Sequence, residues 1–185
     1  YVIGHVGRFI KSKNHKFLIE VFKELNKIND KAVLLLVGDG DLKEDILNQV
    51  KICGLDKKVI FTGIRQDVNE LLQVMDVFVF PSFYEGLGLA IIEAQAAGLP
   101  CLISNSIPDE VCITPLVKKL SIKESPKKWA YEINKISTNR NIDISESISK
   151  SGYNIDKSVL ELEKFYLEKV SNLEVSNCIH ILKSQ

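Results

Sequence analysis

The sequence has no excess charge of either sign, few cysteines and no long apolar run. Lysine plus arginine and aspartate plus glutamate number 24 each, so the formal net charge is zero. Proteins that bind nucleic acid through bulk charge are strongly basic, and this balance therefore argues against a nucleic-acid partner. No apolar stretch is long enough to predict a membrane-spanning helix. With 185 residues and 45% hydrophobic content, the chain can bury a sizeable core.

The four cysteines form no metal-binding pattern. Cys53, Cys101, Cys112 and Cys178 make neither a Cys-x-x-Cys motif nor a zinc spacing, and several lie in apolar runs. We therefore expect reduced core cysteines and a cytoplasmic location. The sequence also begins at Tyr1, inside a strand-like run and without Met, which suggests a piece of a longer protein.

Strand-like and helix-like segments alternate along most of the chain. β-branched and aromatic runs predict strands at 1–7, 31–37, 58–62, 76–80, 101–104 and 116–120. Apolar periodicity and helix-forming residues predict helices at 14–28, 42–53, 68–75 and 88–97, and Ser125 with Pro126 begins another. The alternation predicts an α/β domain, a Rossmann-like doubly wound parallel sheet of about six strands flanked by helices.

The pattern changes after residue 137. Residues 138–150 are rich in Asn, Ser and Ile without clear periodicity, and residues 156–170 have the spacing of an amphipathic helix. We predict one α/β domain over 1–137, a helical extension over 138–170 and a tail over 171–185.

The stretch from Pro81 to Pro100 is the most typical of a binding site. Pro81 ends the fourth strand, because proline cannot donate to a sheet ladder. Gly86 and Gly88 allow a tight turn and close backbone approach, and helix formers follow until Gly98. A strand, a glycine-containing turn and an abrupt helix start leave free N–H groups at the positive end of the helix dipole, which favours an anion.

Two carboxylates flank the start of this helix. Glu85 lies in the turn, and Glu93 lies in the second helical turn among apolar residues. Ala90, Ala94 and Ala97 share its face by helical spacing, which would let a neighbour or ligand approach closely. An acid in apolar surroundings needs a partner or a wet edge. A solvated or salt-bridged surface role for Glu93 stays open on spacing alone.

Two cations follow the first predicted strand. Arg8 comes directly after it, and Lys13 comes five residues later. In the usual doubly wound order, 3-2-1-4-5-6, strands one and four are neighbours where the order reverses, and ligands bind at their carboxyl ends. The topology would bring both cations beside the helix that follows Gly88. This constellation predicts a pyrophosphate ligand.

Two weaker signals have simpler explanations. His5 in the first strand is expected to be a hydrogen-bonded core histidine rather than a ligand. Asp39 and Asp41 form an Asp-x-Asp pattern that can hold a divalent metal through oxygen ligands. Asp41 with Glu44 three residues later, however, favours a capping pair for the following helix, and we expect no metal site.

With these residues placed, the chain resembles the donor-binding C-terminal domain of GT-B-fold retaining glycosyltransferases (glycosyltransferase family 4). The resemblance covers about residues 1–110 and is only topological beyond them. The matching stretches are Gly7 to Lys13, Val37 to Gly40, Phe61 to Gly63, and Pro81 to Gly98 with its two glutamates. Segments 63–68 and 107–111 are similar to those of bacterial capsule or exopolysaccharide transferases. Asn14 departs from the pattern, because the family often has glycine there.

The resemblance implies a role for each matching residue. Arg8 and Lys13 would bind the donor's diphosphate and, together with Glu85 against the donor sugar, serve catalysis. Glu93 would hold the ribose hydroxyls. The other substrate-binding residues that the resemblance implies are Gly40, Arg65, Gly86, Leu87, Gly88 and Leu89. Because two cations and a helix N-terminus already supply positive charge, no metal or other cofactor is expected.

The resemblance also implies a function. Residues 1–137 would bind a nucleotide sugar, with a UDP-sugar expected, in an enzyme that moves the sugar to a polysaccharide or lipid-linked oligosaccharide. A missing N-terminal domain would bind the acceptor, contact the helix at 156–170 and touch the inner face of the cell membrane. The fragment alone is expected to be inactive. A non-catalytic nucleotide- or phosphate-binding domain, a metal-dependent transferase and a nucleotide-sugar epimerase stay open as alternatives.

Overall fold

The structure, a computed structural model, describes residues 1–138 and 143–183, with side chains described as far as residue 170. The chain divides into two compact units, Tyr1–Ile144 and Ser145–Gln185. The functional boundary that we place at residue 137 stays a prediction.

In the first unit, strands and helices alternate as expected. The strands are β1 Val2–Val6, β2 Val33–Val37, β3 Val59–Gly63, β4 Val77–Phe80, β5 Cys101–Ser104 and β6 Val117–Leu120. The α-helices are α1 His15–Ile28, α2 Lys43–Ile52, α3 Val68–Gln73, α4 Leu89–Ala96 and α5 Pro126–Asn134. Two short 3₁₀ helices, Lys11–Lys13 and Asp109–Val111, precede α1 and β6. The predicted α/β class is confirmed.

The strands form one parallel sheet in the order β3-β2-β1-β4-β5-β6. This is the doubly wound order that the alternation predicted. β1 pairs with β2 from Val2 to Val6, and with β4 through Ile3 and Gly4. The order therefore reverses between β1 and β4, and the loops that follow these two strands meet at the same edge of the sheet.

Helices cover both faces of the sheet. In β4, Val77 and Val79 belong to one buried cluster, whereas Phe78 and Phe80 belong to the other. Since successive side chains of a strand point to opposite faces, the two clusters lie on opposite sides of the sheet. β4 is buried along its whole length, as expected of a continuous apolar run in a parallel sheet.

Helix α5 begins as its sequence predicted. Ser125 is the N-cap residue, and its Oγ accepts a hydrogen bond from the Lys128 N–H at 3.2 Å, with Pro126 at the first helical position. Trp129, one turn later, is fully buried and meets Phe17 of α1 edge to face, with ring centroids 5.7 Å apart. The cap and this contact hold α5 against α1.

The expectation that Asp41 caps α2 is wrong. The N-cap residue of α2 is Leu42, and no side chain caps the helix. Asp39 instead accepts hydrogen bonds from Lys43 Nζ at 2.6 Å and from the Gly40 N–H at 2.7 Å. These bonds hold the pKa of Asp39 below its usual value, and the bond from Lys43 has the larger effect.

The second unit is helical. Helix α6 spans Ser145–Lys150, in a stretch without clear apolar periodicity, and α7 spans Ile155–Lys183. The helix predicted over 156–170 therefore continues beyond that range. Its described apolar side chains are more than half exposed, namely those of Ile155, Val159, Leu160, Leu162, Phe165, Tyr166, Leu167 and Val170. Within the described residues, no helix combines the length and apolarity needed to cross a bilayer.

Candidate functional site

The loops after β1 and β4 are tied together where the strand order reverses. The Phe83 N–H donates to the Ser12 carbonyl oxygen at 2.8 Å, and Asn14 Nδ2 donates to the Pro81 carbonyl oxygen at 3.1 Å. The loop that carries the two predicted cations is thus in direct contact with the loop that carries Glu85, as the topology predicted.

Asn14 holds the β1–α1 loop in an uncommon conformation. Its φ of 57° and ψ of 41° are left-handed, and it is the one non-glycine residue with positive φ in the described chain. Glycine reaches this region without penalty, and asparagine is among the few other residues that visit it. Asparagine can therefore hold this backbone conformation, and its side chain also gains the bond to Pro81.

Lys13 and Glu85 form the central ion pair of the site. Lys13 Nζ lies 2.8 Å from each of the two carboxylate oxygens of Glu85, although the residues are 72 positions apart in sequence. Their side chains are only 17% and 10% exposed. The ammonium group also lies 4.7 Å from the centre of the Phe80 ring. Two of the three residues predicted to serve catalysis are therefore in contact.

Arg8 lines a cavity of about 560 Å³ at the carboxyl ends of β1, β2 and β3. Gly40 and Arg65, both predicted to bind substrate, line the same cavity. A Cβ on Gly40 would lie 2.8 Å from the backbone nitrogen and oxygen of Phe9. Glycine at position 40 therefore permits the β2–α2 loop to pack directly against the β1–α1 loop.

Arg65 is directed at a neighbouring acid. Its Nε donates to Asp67 Oδ1 at 2.7 Å, and its Nη2 donates to the other carboxylate oxygen. These hydrogen bonds raise the pKa of Arg65 and lower that of Asp67. The guanidinium group would have to share or leave this partner in order to contact a ligand in the cavity.

Glu93 is exposed and lines a second cavity, of about 570 Å³, beside the first. Val6 and Val68 line both cavities, so the two form one groove across the strand ends. Three amide side chains line the same cavity: Gln66 just before α3, and Asn69 and Gln73 within it.

The small residues of α4 meet both the core and the second cavity. Ala94 is fully buried in the core rather than turned toward a ligand. Ala96 and Ala97, together with Glu93, line the second cavity. Of the predicted face, Glu93 and Ala97 border this cavity, and Ala96 borders it in addition.

The turn between β4 and α4 is exposed. Leu87 and Leu89 are 45% and 58% exposed, and Gly86 is exposed as well. Gly88 is the N-cap residue, with a φ of 66°, and no side chain caps the helix. These four residues line neither cavity of the groove, and their roles stay predictions.

Two buried histidines lie close to Lys13. His5 is fully buried, and its Nδ1 lies 2.9 Å from the Val79 carbonyl oxygen, whereas its Nε2 has no hydrogen-bond partner in the described chain. The expectation of a hydrogen-bonded core histidine is thus confirmed for one ring nitrogen. His15, which the sequence analysis did not single out, is buried with its ring stacked on Phe9 at 4.2 Å.

Gln95 is a second residue that the sequence analysis missed. Its Nε2 donates to the carbonyl oxygens of Ile91 and Val111, at 3.0 and 2.7 Å. Its Oε1 accepts from the N–H groups of Ile113 and Thr114, each at 3.0 Å. Every polar atom of this fully buried amide is therefore satisfied, and it anchors α4 to the segment before β6. The one available signal was a polar residue among the small apolar residues of the helix.

Over the part of the chain that the structure describes, no three His, Cys, Asp or Glu side chains are arranged to hold a metal ion. Asp39, one half of the Asp-x-Asp pattern, is engaged by Lys43.

Comparison with known proteins gives a consistent picture. The family model "Glycosyl transferases group 1" matches residues 1–155. The protein EpsF of Bacillus subtilis (strain 168) is 37% identical over 169 residues, which cover 89% of this chain and 44% of EpsF. The Escherichia coli UDP-Gal:alpha-D-GlcNAc-diphosphoundecaprenol alpha-1,3-galactosyltransferase is 31% identical over 189 residues, which cover 93% of this chain and 46% of that enzyme.

A solved structure shares the fold. The structure of HepE from Anabaena in complex with UDP has a TM-score of 0.72 and 20% sequence identity, covering 93% of this chain and 49% of that one. At this identity the likeness concerns the fold alone. The chain spans about half the length of the curated relatives it matches.

Proposed function

Because the chain belongs to the glycosyl transferases group 1 family, we propose that it binds the nucleoside diphosphate part of a nucleotide-sugar donor. A UDP-sugar is the donor class we favour, since the E. coli relative is named for a UDP-galactose donor and the HepE structure contains UDP. The observation that carries the proposal is the contact between the Lys13 loop and the Glu85 loop at the reversal of strand order.

In this proposal the groove holds the nucleotide in an extended arrangement. Arg8 and Lys13 contact the diphosphate, with Arg8 able to make two parallel hydrogen bonds and Lys13 acting as a point charge. Glu93 accepts hydrogen bonds from the two ribose hydroxyls. Its exposure to the groove, beside Gln66 and Asn69, supports this role.

The same residues would stabilise the leaving group. As the bond between sugar and diphosphate breaks, negative charge grows on the diphosphate. Fixed cations and backbone N–H groups aimed at that charge are worth roughly 2.7–4 kcal/mol per donor. Arg8, Lys13 and the uncapped N-terminus of α4 supply them, and we propose that no metal ion is required.

We place the acceptor on a part of the protein outside this sequence. The resemblance to the donor-binding half of GT-B-fold enzymes implies a second domain that binds the acceptor. That acceptor would be a saccharide or a lipid-linked compound, such as the diphosphoundecaprenol compound in the name of the E. coli relative. Contact of that domain with the inner face of the cell membrane, and with the apolar side chains of α7, belongs to the same proposal.

Calorimetry with UDP tests the proposal. The chain should bind UDP equally well with and without EDTA, and Arg8→Ala and Lys13→Ala should each weaken binding at least tenfold. Lys57→Ala, at an exposed lysine before the amino end of β3, serves as the control. Absence of UDP binding, or affinity that collapses on chelation, would contradict the proposal.

A second assay separates transfer from the alternatives. The longer protein that contains this chain should transfer sugar from a UDP-sugar to a saccharide or lipid-linked acceptor, and the chain alone should not. A product that stays linked to the nucleotide would favour an epimerase. Tight UDP binding without turnover would favour a non-catalytic domain.

A further inference from the structure

The ammonium group of Lys13 makes two hydrogen bonds to Glu85 and lies over an aromatic ring. An ammonium carries three N–H donors. Glu85 takes up two directions with oxygens at 2.8 Å each, and the Phe80 ring covers a third side at 4.7 Å. Because both charged side chains are more than four-fifths buried, water cannot easily replace either partner.

We propose that Glu85 is the internal counterion of Lys13 in the nucleotide-free site, and that donor binding exchanges this carboxylate for the diphosphate. This inference rests on the proposed function, since it requires the ligand to be a nucleoside diphosphate. After the exchange, the negative group beside Lys13 is the diphosphate of the ligand instead of a carboxylate of the protein. It releases the Glu85 carboxylate at the point where the donor sugar would lie.

Of the two partners, Lys13 is the better anchored. It ends the 3₁₀ helix Lys11–Lys13, and its N–H donates to the Ile10 carbonyl oxygen at 3.2 Å. Its side-chain carbons Cδ and Cε lie 3.4 Å from the place where a Cβ on Gly7 would stand. The stem of Lys13 is therefore packed against Gly7, and its ammonium group lies over the Phe80 ring.

Glu85 lies in a less restrained segment. Tyr84 before it is 70% exposed and Gly86 after it is exposed. In the described chain, the backbone N–H groups of 84–87 donate no hydrogen bond to another part of the protein. The bond from the Phe83 N–H to Ser12 holds the two loops together independently of the ion pair. The exchange can thus proceed by movement of Glu85 alone.

The exchange has a consequence for specificity. UDP breaks the ion pair but gives Glu85 no new partner, which leaves a charge to be resolvated. A complete UDP-sugar breaks the same pair and offers sugar hydroxyls that can donate to the released carboxylate. Glu85 would therefore weaken the binding of the product UDP more than the binding of the donor, and so favour product release.

A double-mutant cycle measured by calorimetry tests the exchange. Glu85→Gln should bind UDP about three- to tenfold more tightly than the native chain, because the glutamine cannot hold the ammonium as strongly. In a Lys13→Ala background the same change should leave UDP affinity unaltered, since the competition has been removed. Glu85→Ala should also bind UDP more tightly than the native chain. Thermal unfolding of each variant verifies that it is folded.

Glu132→Gln is the matched control. Glu132 is also largely buried and paired with lysines, its carboxylate oxygens lying 2.5 Å from Lys118 Nζ and 2.8 Å from Lys128 Nζ. It lies on α5, outside the groove, so its removal should leave UDP affinity unchanged. A similar gain in Glu132→Gln would show a nonspecific effect of net charge and overturn the inference.

The outcomes separate this inference from the proposed function. If the native chain binds no UDP, the proposed function fails. If it binds UDP with the expected dependence on Arg8 and Lys13, but Glu85→Gln binds it equally or more weakly, the counterion exchange is wrong and the proposed function stands.

Discussion

The imidazole rings of His5 and His15 meet edge to face, with their centroids 4.7 Å apart. Burial disfavours the charged form of each ring and, with the nearby charge of Lys13 adding to it, lowers the pKa of His5 to about 4 and that of His15 to about 2. Both rings are therefore neutral at neutral pH. Two imidazolium ions at this separation would repel each other and the ammonium group.

This pair predicts a loss of stability in mild acid. In the unfolded chain both histidines titrate near pH 6.5, and in the folded chain they do so near 4 and 2. Below pH 6.5 the two histidines bind protons in the unfolded state but stay neutral in the folded state. The contribution of these two histidines to the free energy of unfolding should therefore be constant well above that pH and fall below it. Each histidine contributes a slope of up to about 1.4 kcal/mol per pH unit.

Urea unfolding between pH 7.5 and pH 5 measures this slope. The variant His15→Phe, which preserves an aromatic ring against Phe9, should show a shallower dependence. Adding His5→Gln should flatten it further. A slope in the double variant equal to that of the native chain would assign the acid sensitivity to other groups.

Asn14 predicts an order of stability among three residues. Asn14→Gly keeps the left-handed backbone but loses the bond to Pro81, which is worth about 0.5–1.5 kcal/mol. Asn14→Ala loses the same bond and also strains the backbone, because alanine at positive φ costs more than its lower unfolded-state entropy returns. Thermal unfolding should rank the variants Asn above Gly above Ala. Equal stability of the two variants would show that the backbone conformation at position 14 has no measurable cost.

Glu93 predicts a loss of ribose recognition. Glu93→Gln should weaken UDP binding by about 1–3 kcal/mol, since hydrogen bonds to a charged acceptor are lost. The native chain should prefer UDP over 2′-deoxy-UDP, and the variant should not. Glu124→Gln, at an exposed glutamate beyond β6, is the control and should preserve both affinities. A variant that still discriminates the 2′-hydroxyl would place the ribose elsewhere.

Gln95 predicts a large destabilisation by a small change. Gln95→Leu fits the apolar surroundings but leaves the Val111 carbonyl and the N–H groups of Ile113 and Thr114 without their partner. Each buried unsatisfied group costs about 1–3 kcal/mol, so we expect a total of about 3 kcal/mol or more in denaturant unfolding. Gln49→Leu is the comparison, because Gln49 makes its hydrogen bonds near the surface and its loss should cost far less. Equal costs at the two sites would contradict this account.

The sequence predicted the sheet because its signals are local. Apolar runs fix the strands, and Pro81 and Gly98 mark the ends of β4 and α4. The doubly wound topology then places the loops of Lys13 and Glu85 side by side, which the structure confirms. Residues far apart in sequence could be joined in this way because parallel strands with crossover helices admit few arrangements.

The remaining features depend on contacts between loops, which local patterns do not report. Asp41 fails to cap α2 because the β2–α2 loop bonds to Phe9, whose N–H donates to the Asp39 carbonyl oxygen and whose carbonyl oxygen accepts from the Leu42 N–H. Gln95 has the spacing of an ordinary polar helix residue, and only the segment at 111–114 makes it structural. The burial of His15 similarly depends on Phe9, which no helical periodicity relates to it.

The pairing of β1 with β4 also bears on the order in which the chain assembles. β1 shares five residue pairs with β2 but only two with β4, Ile3 with Val77 and Gly4 with Phe78. The sheet thus consists of two halves joined along a short seam, and the first half leaves the ribosome before the second is complete. Lys13 belongs to one half and Glu85 to the other. A ligand that contacts both halves would stabilise their association. Binding of that ligand would therefore report that β1 and β4 have paired.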